Sequence, residues 1–352
     1  MSNMKWMCFL LFSFIAKPTL AENFKVYHAL INKAELSIAD GRYKQALKYY
    51  DSAFLEKKKP FALDLYNASV CAVKSNLSQQ AMVYCQELAE KGVGGNFFKN
   101  NQVYTLLTGT KQWKLLLEKA DGVHNKIQTT HRALLKTIDS LVGKDQKVNH
   151  NWQESGMASK EREIMELTYD TIQSQLKTMF DGIGFPSEDM IGAPLTENGL
   201  MGYRLPFDII IIHNYQTRTK GDTLFRPLLL KALKEGLIKP EYFALMEDFG
   251  SGDNSKPYYG SAHFYVQYQC SIYLENVNMQ RLADIEKARA NIGLCNTQDQ
   301  LKKILFNIQN PGSSFRIMTA LSKIGSFGNK ESEQRMLDNS KIILNLIPDC
   351  KL

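Results

Sequence analysis

Between Tyr27 and about Gly92 positions recur at the three- and four-residue steps of a helix with one covered face, as in Ile31, the charged Glu35 and Ile38 and again in the apolar Leu63, Tyr66, Val70, Val73. Within this stretch a pattern returns. Gly41-Arg42-Tyr43-Lys44-Gln45-Ala46-Leu47-Lys48-Tyr49-Tyr50-Asp51-Ser52-Ala53 is echoed by Asn76-Leu77-Ser78-Gln79-Gln80-Ala81-Met82-Val83-Tyr84-Cys85-Gln86-Glu87-Leu88, with Ala46 and Ala81 35 residues apart. Small side chains at Ala46, Ala53 and Ala81 predict the points where paired helices approach most closely, with Tyr50 and Tyr84–Cys85 at the larger packing position. Asn101 to Lys119, containing Trp113, reads as a helical pair that caps the array. Two units cannot cover both open ends of their own core, so they are expected to dock onto the rest of the chain.

Helical signals continue from Asn125 to Val142 and from Ser159 to Phe180, ended by Gly182. A loop at Asp181–Pro186 precedes three short helices: Pro206 to about Gln216, Thr223 to Lys234 and Pro240 to Phe249. Ile209–Ile212 is apolar enough for a buried strand, since period alone does not assign so short a run, but helix is the preferred reading. An exposed loop is expected at Gly250–Ser255. Ala262 to Leu274, rich in Tyr, Phe, Val and Ile, carries the strongest strand signal and suggests a small hairpin. Helices are expected again at Met279–Ala290, Thr297–Ile308 and Ser332–Leu346. The sum is a mainly α chain: helical repeats over 24–125, an α-rich domain with a small β-hairpin over 126–300, and C-terminal helices over 301–352.

The first residues change the expected location. Lys5, the apolar stretch Trp6–Ala16 and the small residue Ala21 are the three parts of a secretory signal peptide, with cleavage expected after Ala21. The apolar core falls short of the ~20 residues a membrane-spanning helix needs, so an exported protein without an integral membrane segment, periplasmic or secreted, is expected. Cleavage would remove Lys5 and Lys17 and lower the net charge from +7 to +5. No basic stripe interleaved with aromatics accompanies that mild excess, so no nucleic-acid partner is expected. Cys71, Cys85, Cys270, Cys295 and Cys350 would remain, an odd number with no CxxC spacing, which leaves pairing open and gives no basis for a metal site. A Cys71–Cys85 bridge is disfavoured by their axial offset in an antiparallel hairpin.

The 35-residue spacing and the small residues at 46, 53 and 81 resemble tetratricopeptide repeats, whose period is about 34 residues. The first helices lack that family's aromatic and Leu-Gly positions, and Pro60 comes late, so the repeats are degenerate. The resemblance implies a protein or peptide partner bound along the face of the first helices: Ile31, Glu35, Ile38, Tyr66 and Val70, flanked by His28, Leu63 and Val73. The equally weighted alternative is that this apolar face is filled by the protein's own C-terminal domain.

From about Leu134 to Leu294 the chain resembles a bacterial family catalogued as a domain of unknown function. The matching pieces are Asp145-Gln146, Gly184-Phe185-Pro186 with Gly192, His213 after an apolar run, Pro227-Leu228-Leu229, Ala244-Leu245 before Asp248, Tyr259-Gly260-Ser261, and Arg289 ahead of Ile292-Gly293-Leu294. The family pattern has Arg, Arg and Gln where this chain has Asn149, Phe249 and Ala262, which implies a weakened anion site, since neither Asn nor Phe replaces a guanidinium fork.

His213 is the sharpest candidate for chemistry. A histidine at the end of a buried helix can serve as a base near neutral pH, with Asp145 or Asp248 orienting its ring and Tyr259 contributing a hydroxyl. The ordinary alternative is a partly buried, helix-capping histidine among helix-end carboxylates. GxSxG, HExxH, GxxxxGK[ST] and GxGxxG are absent, and no cofactor is called for. Two functions are therefore expected: an exported binding or scaffold protein of the cell envelope, or a hydrolase-type enzyme centred on His213, Asp248, Asp145 and Tyr259.

Overall fold

The computed structural model describes residues 20–196, 198–217, 224–249, 259–276 and 279–345. The signal segment, apart from its last two residues, lies outside them, as do the loop expected at Gly250–Ser255 and Cys350. Helices α1 (Leu20–Ala39) and α2 (Tyr43–Glu56) form one hairpin, and α3 (Ala62–Lys74) and α4 (Ser78–Glu90) a second. Ala46, Ala53 and Ala81 are wholly buried at these crossings. The turns match as well. Gly41 at φ +71° is followed by an Arg42 N–H bonded to the Ser37 carbonyl; Asn76 at φ +59° is followed by a Leu77 N–H bonded to the Ala72 carbonyl. A Cβ at Gly41 would meet nothing within 4 Å, so its glycine answers to backbone conformation alone.

A short helix α5 (Gly95–Asn100) and a 3₁₀ turn (Gln102–Leu107) lead into α6 (Lys111–Thr130), whose start is capped by Thr110 Oγ1 accepting from the Trp113 N–H at 3.1 Å. The expected helix over Asn125–Val142 is divided differently. The chain breaks at His131, between α6 and α7 (Arg132–Glu154), and α7 runs on through polar residues because it pairs along its length with α8 (Ser159–Ile183). After the single-turn α9 (Glu188–Ile191) come α10 (Asp208–Thr217), α11 (Arg226–Lys234) and α12 (Pro240–Phe249).

The β element exceeds the expected hairpin. Strands β1 (Ala262–Tyr268) and β2 (Ser271–Glu275) do pair antiparallel, but the sheet has four strands in the order β3-β1-β2-β4, with β3 (Ala320–Lys323) parallel to β1 and β4 (Ser340–Asn345) antiparallel to β2. Helices α13 (Leu282–Asn291) and α14 (Thr297–Gln309) intervene. The single helix expected over Ser332–Leu346 is instead α15 (Lys330–Asp338) followed by β4. Its Ile342-Ile343-Leu344 run suits either state, and pairing with distant β2 decides for strand.

The N-terminal hairpins dock onto the C-terminal half through buried charges. Lys303 Nζ lies 2.5 Å from Glu35 Oε2, joining α14 to α1. Lys239 lies 2.5 Å from Asp64, which also accepts from the Tyr27 hydroxyl at 2.6 Å. Lys91 meets Glu188 at 2.9 Å and Asp189 at 2.6 Å, while Glu188 accepts the Ala62 N–H at 2.9 Å. Cys71 and Cys85 are buried free thiols and Cys295 is a half-buried one, whereas Cys270 is disulfide-bonded. Burial pushes the Cys85 thiol up to about 12, so it packs as an inert hydrophobe.

Candidate functional site

Helix α10 is buried on more than one face, through Ile210, Ile211 and Ile212 and also through Asp208, His213, Asn214 and Tyr215, so it sits in the interior rather than on the surface. Its first residue, Asp208, accepts from the Leu205 N–H at 3.0 Å and from the Tyr242 hydroxyl, and burial raises its carboxyl to about 7. At its other end α10 delivers His213 to a seam between α7 and α8. There His213 Nδ1 lies 2.9 Å from Asp145 Oδ2 and 3.1 Å from Oδ1, with His213 8% exposed and Asp145 fully buried. A carboxylate only accepts, so Nδ1 carries the proton and Nε2 is left as the basic nitrogen. Gln146 donates to Asp145 Oδ2 at 2.9 Å, and the Tyr169 ring stacks on the imidazole at 4.6 Å.

Behind this pair, Asn214 Oδ1 accepts the Leu224 N–H at 3.1 Å, so its amide nitrogen must face Gln173 Oε1, to which it donates at 2.8 Å. That orientation leaves Gln173 Nε2 without a protein acceptor, and the buried Tyr169 hydroxyl is likewise unpartnered. Burial, then the Asp145 charge, raises the Tyr169 hydroxyl well above its usual value, so it stays protonated.

Asp248 and Tyr259 belong to a second assembly. The Asp248 carboxylate accepts from the Tyr259 N–H at 2.8 Å and from the Ser261 N–H and hydroxyl at 2.7 and 2.6 Å, a loop clamp that uses the Tyr259 backbone and not its hydroxyl. The same loop is held from behind by buried Arg289, whose Nη1 donates to the Tyr259 carbonyl and Nε to the Cys295 carbonyl, each at 2.6 Å, and whose Nη2 reaches Gln300. Its fork is filled by the protein itself. Burial and the nearby Glu247 charge push the Tyr259 hydroxyl up to about 12. Glu247 in turn accepts from Tyr215 at 2.5 Å and Arg226 at 2.9 Å. Of the four residues singled out in the sequence, the structure therefore pairs Asp145 with His213, and Asp248 with Tyr259.

Tyr169, Gln173, Asn214, Tyr215, Arg226 and Glu247 were not among the expected site residues. Only the i, i+4 spacing of Tyr169 and Gln173 on one face of α8 could have drawn attention to them, and that pattern is indistinguishable from an ordinary core stripe.

The face expected to receive a peptide is already occupied. Ile31, Glu35, Ile38, Tyr66 and Val70 are each 2% exposed or less. Helix α14 covers the α1 part of it through Lys303 and Glu35, and residues 313–318 lie across the α3 part: the Tyr66 hydroxyl donates to the Ser314 carbonyl at 2.7 Å, and the Asn67 amide bonds both ways with the Arg316 backbone, to its carbonyl and from its N–H, each at 2.9 Å. Phe315 packs 5.3 Å from the Tyr43 ring.

Among the described residues no three His, Cys, Asp or Glu side chains converge to hold a metal ion, and no helix is long and apolar enough to cross a membrane. No protein-family model, curated protein or solved structure matches the chain.

Proposed function

We propose that this chain is an exported cell-envelope binding protein in which tetratricopeptide-like helix pairs form a receptor for extended protein segments. The observation that carries the reading is the Asn67 clamp on Arg316. An amide that engages both the N–H and the C=O of one residue recognises main chain and not sequence, so it suits any extended strand laid on the face. In this molecule residues 313–318 fill that place in cis, and a partner segment binds by replacing them. The disulfide at Cys270 fits an oxidising compartment, as the signal-like N-terminus does.

A labelled peptide of residues 311–320, offered to the full chain, tests the receptor. Wild type is expected not to bind it, Phe315→Ala to bind it, and Asn67→Ala added to Phe315→Ala to lose it. A Phe315→Ala protein that is folded by circular dichroism yet takes up no peptide would refute the proposal.

The second reading, a hydrolase-type enzyme, is favoured by one observation: Asp145 and His213, 68 residues apart in the chain, meet at hydrogen-bond distance with the ring oriented as a general base requires. Membership of the family of unknown function that the 134–294 stretch resembles would carry either reading without naming a reaction.

A further inference from the structure

Residues 313–318, which fill the α3 face in cis, are held there by two kinds of contact. The first kind grips main chain: Tyr66 holds the Ser314 carbonyl, Asn67 holds Arg316, and the Asn307 amide of α14 donates to the Ile317 carbonyl at 3.0 Å. The second kind is made by side chains. Phe315 enters a slot formed by the Tyr43 ring at 5.3 Å, the Phe306 ring at 6.5 Å and Lys74, whose Nζ lies 5.8 Å from the Phe315 centroid and 5.7 Å from that of Tyr43. An aromatic ring is favoured there. Its face attracts the ammonium and it meets Phe306 edge-to-face at 61°, contacts that an aliphatic side chain does not reproduce. Further along, Ile317 and Met318 are buried, Met318 beside Phe61, Leu63 and Leu205 around a cavity of about 40 Å³. Arg316, in between, is different. Its backbone is clamped, but its half-buried side chain makes no hydrogen bond or ion pair with a described residue, and its Nε is sealed without an acceptor. Arginine is therefore not selected at that position by any polar contact.

We infer that this face is selective for one class of partner: an extended protein segment that reads aromatic, any residue, apolar, apolar, with its aromatic ring seated between Tyr43, Phe306 and Lys74. The inference rests on the receptor reading above and adds to it the chemistry of the segment that replaces residues 313–318. The Asn67 amide is indifferent to sequence and sets the register. The aromatic slot, one residue before it, and the apolar seats after it set the identity.

Labelled peptides of residues 311–320, offered to the full-length Phe315→Ala chain, measure the selectivity. The parent peptide is expected to bind, and one carrying Phe315→Tyr to bind within about twofold of it. Peptides carrying Phe315→Ala or Ile317→Ser should lose about tenfold or more, because each gives up a buried apolar contact. A peptide carrying Arg316→Ala should bind as tightly as the parent. Lys74→Met in the protein, at an exposed position, should weaken the parent peptide about two- to fivefold and leave one carrying Phe315→Leu unchanged. Ile317→Ala serves as the opened chain if Phe315→Ala does not fold, with the same ranking of peptides expected. A Phe315→Ala peptide that binds as well as the parent, or an Arg316→Ala peptide that loses as much as a Phe315→Ala one should, overturns the selectivity and leaves the receptor standing. Binding of no peptide by either opened chain overturns the receptor, and this inference with it.

Discussion

Replacing Lys303 with Met tests how the two halves of the molecule are held together. Lys303 Nζ and Glu35 Oε2 are 2.5 Å apart, and the two side chains are only 2% and 3% exposed. Removing one partner of such a pair strands a charge in the interior and costs about 3–5 kcal/mol, far more than the pair's net worth. For a chain of this size that corresponds to a fall in Tm on the order of 10 °C. The loss should depend on pH with a definite sign. The neighbouring Glu241 carboxyl is raised by burial and lowered by Lys239 and Lys303, so without Lys303 it rises further above its unfolded value; the added penalty is absent at low pH and grows as pH rises through the folded value. Urea denaturation of wild type, Lys303→Met and Lys303→Met/Glu35→Met at pH 5 and pH 8 measures it. The double variant should recover most of the stability, because two apolar side chains leave no stranded charge. A single variant that loses less than ~1 kcal/mol at pH 8, or a double variant as unstable as the single, would refute the account of the interface as a paired, desolvated contact.

Two further outcomes follow from the same structure. If His213 serves as a general base, Asp145→Asn, which keeps shape but leaves the ring poorly oriented, should slow hydrolysis of p-nitrophenyl acetate by about 10²-fold or more; equal rates for wild type and variant would remove the hydrolase reading. His263 at about 4, against a usual 6.5, and His28, driven down by burial and then by Lys239, Lys57 and Lys303, are both held neutral, so each destabilises the fold as pH drops from about 6.5 through its folded value, by about 3 kcal/mol for His263. Stability measured between pH 7 and pH 4 should therefore fall less for His28→Phe than for wild type, and parallel curves would show that His28 contributes nothing to acid lability.

The chain's own pattern determined most of the helices. Alanines 35 residues apart marked the close crossings in both N-terminal hairpins, because helix pairing there depends on residues near one another in sequence, and the structure adds that Gly41 and Asn76 sit at their left-handed turns. The hairpin of β1 and β2 was legible for the same reason. What tertiary structure alone decided has long sequence separation in common. Strand β4 takes its state from β2 and β3 from β1, so Ile342–Leu344 read as helix until a partner edge was present. His213, Asp145, Asp248 and Tyr259 were visible as residue types, but their division into two pairs depends on how α7, α8, α10 and α12 pack. Gln173 became noteworthy only because Leu224, through Asn214, turns its amide toward an empty partner position. The apolar face of α1 and α3 likewise announced that something must cover it. That α14 covers α1 and residues 313–318 cover α3 follows from Glu35 meeting Lys303 and from Asn67 and Tyr66 meeting a backbone nearly 250 residues away, contacts no local pattern encodes.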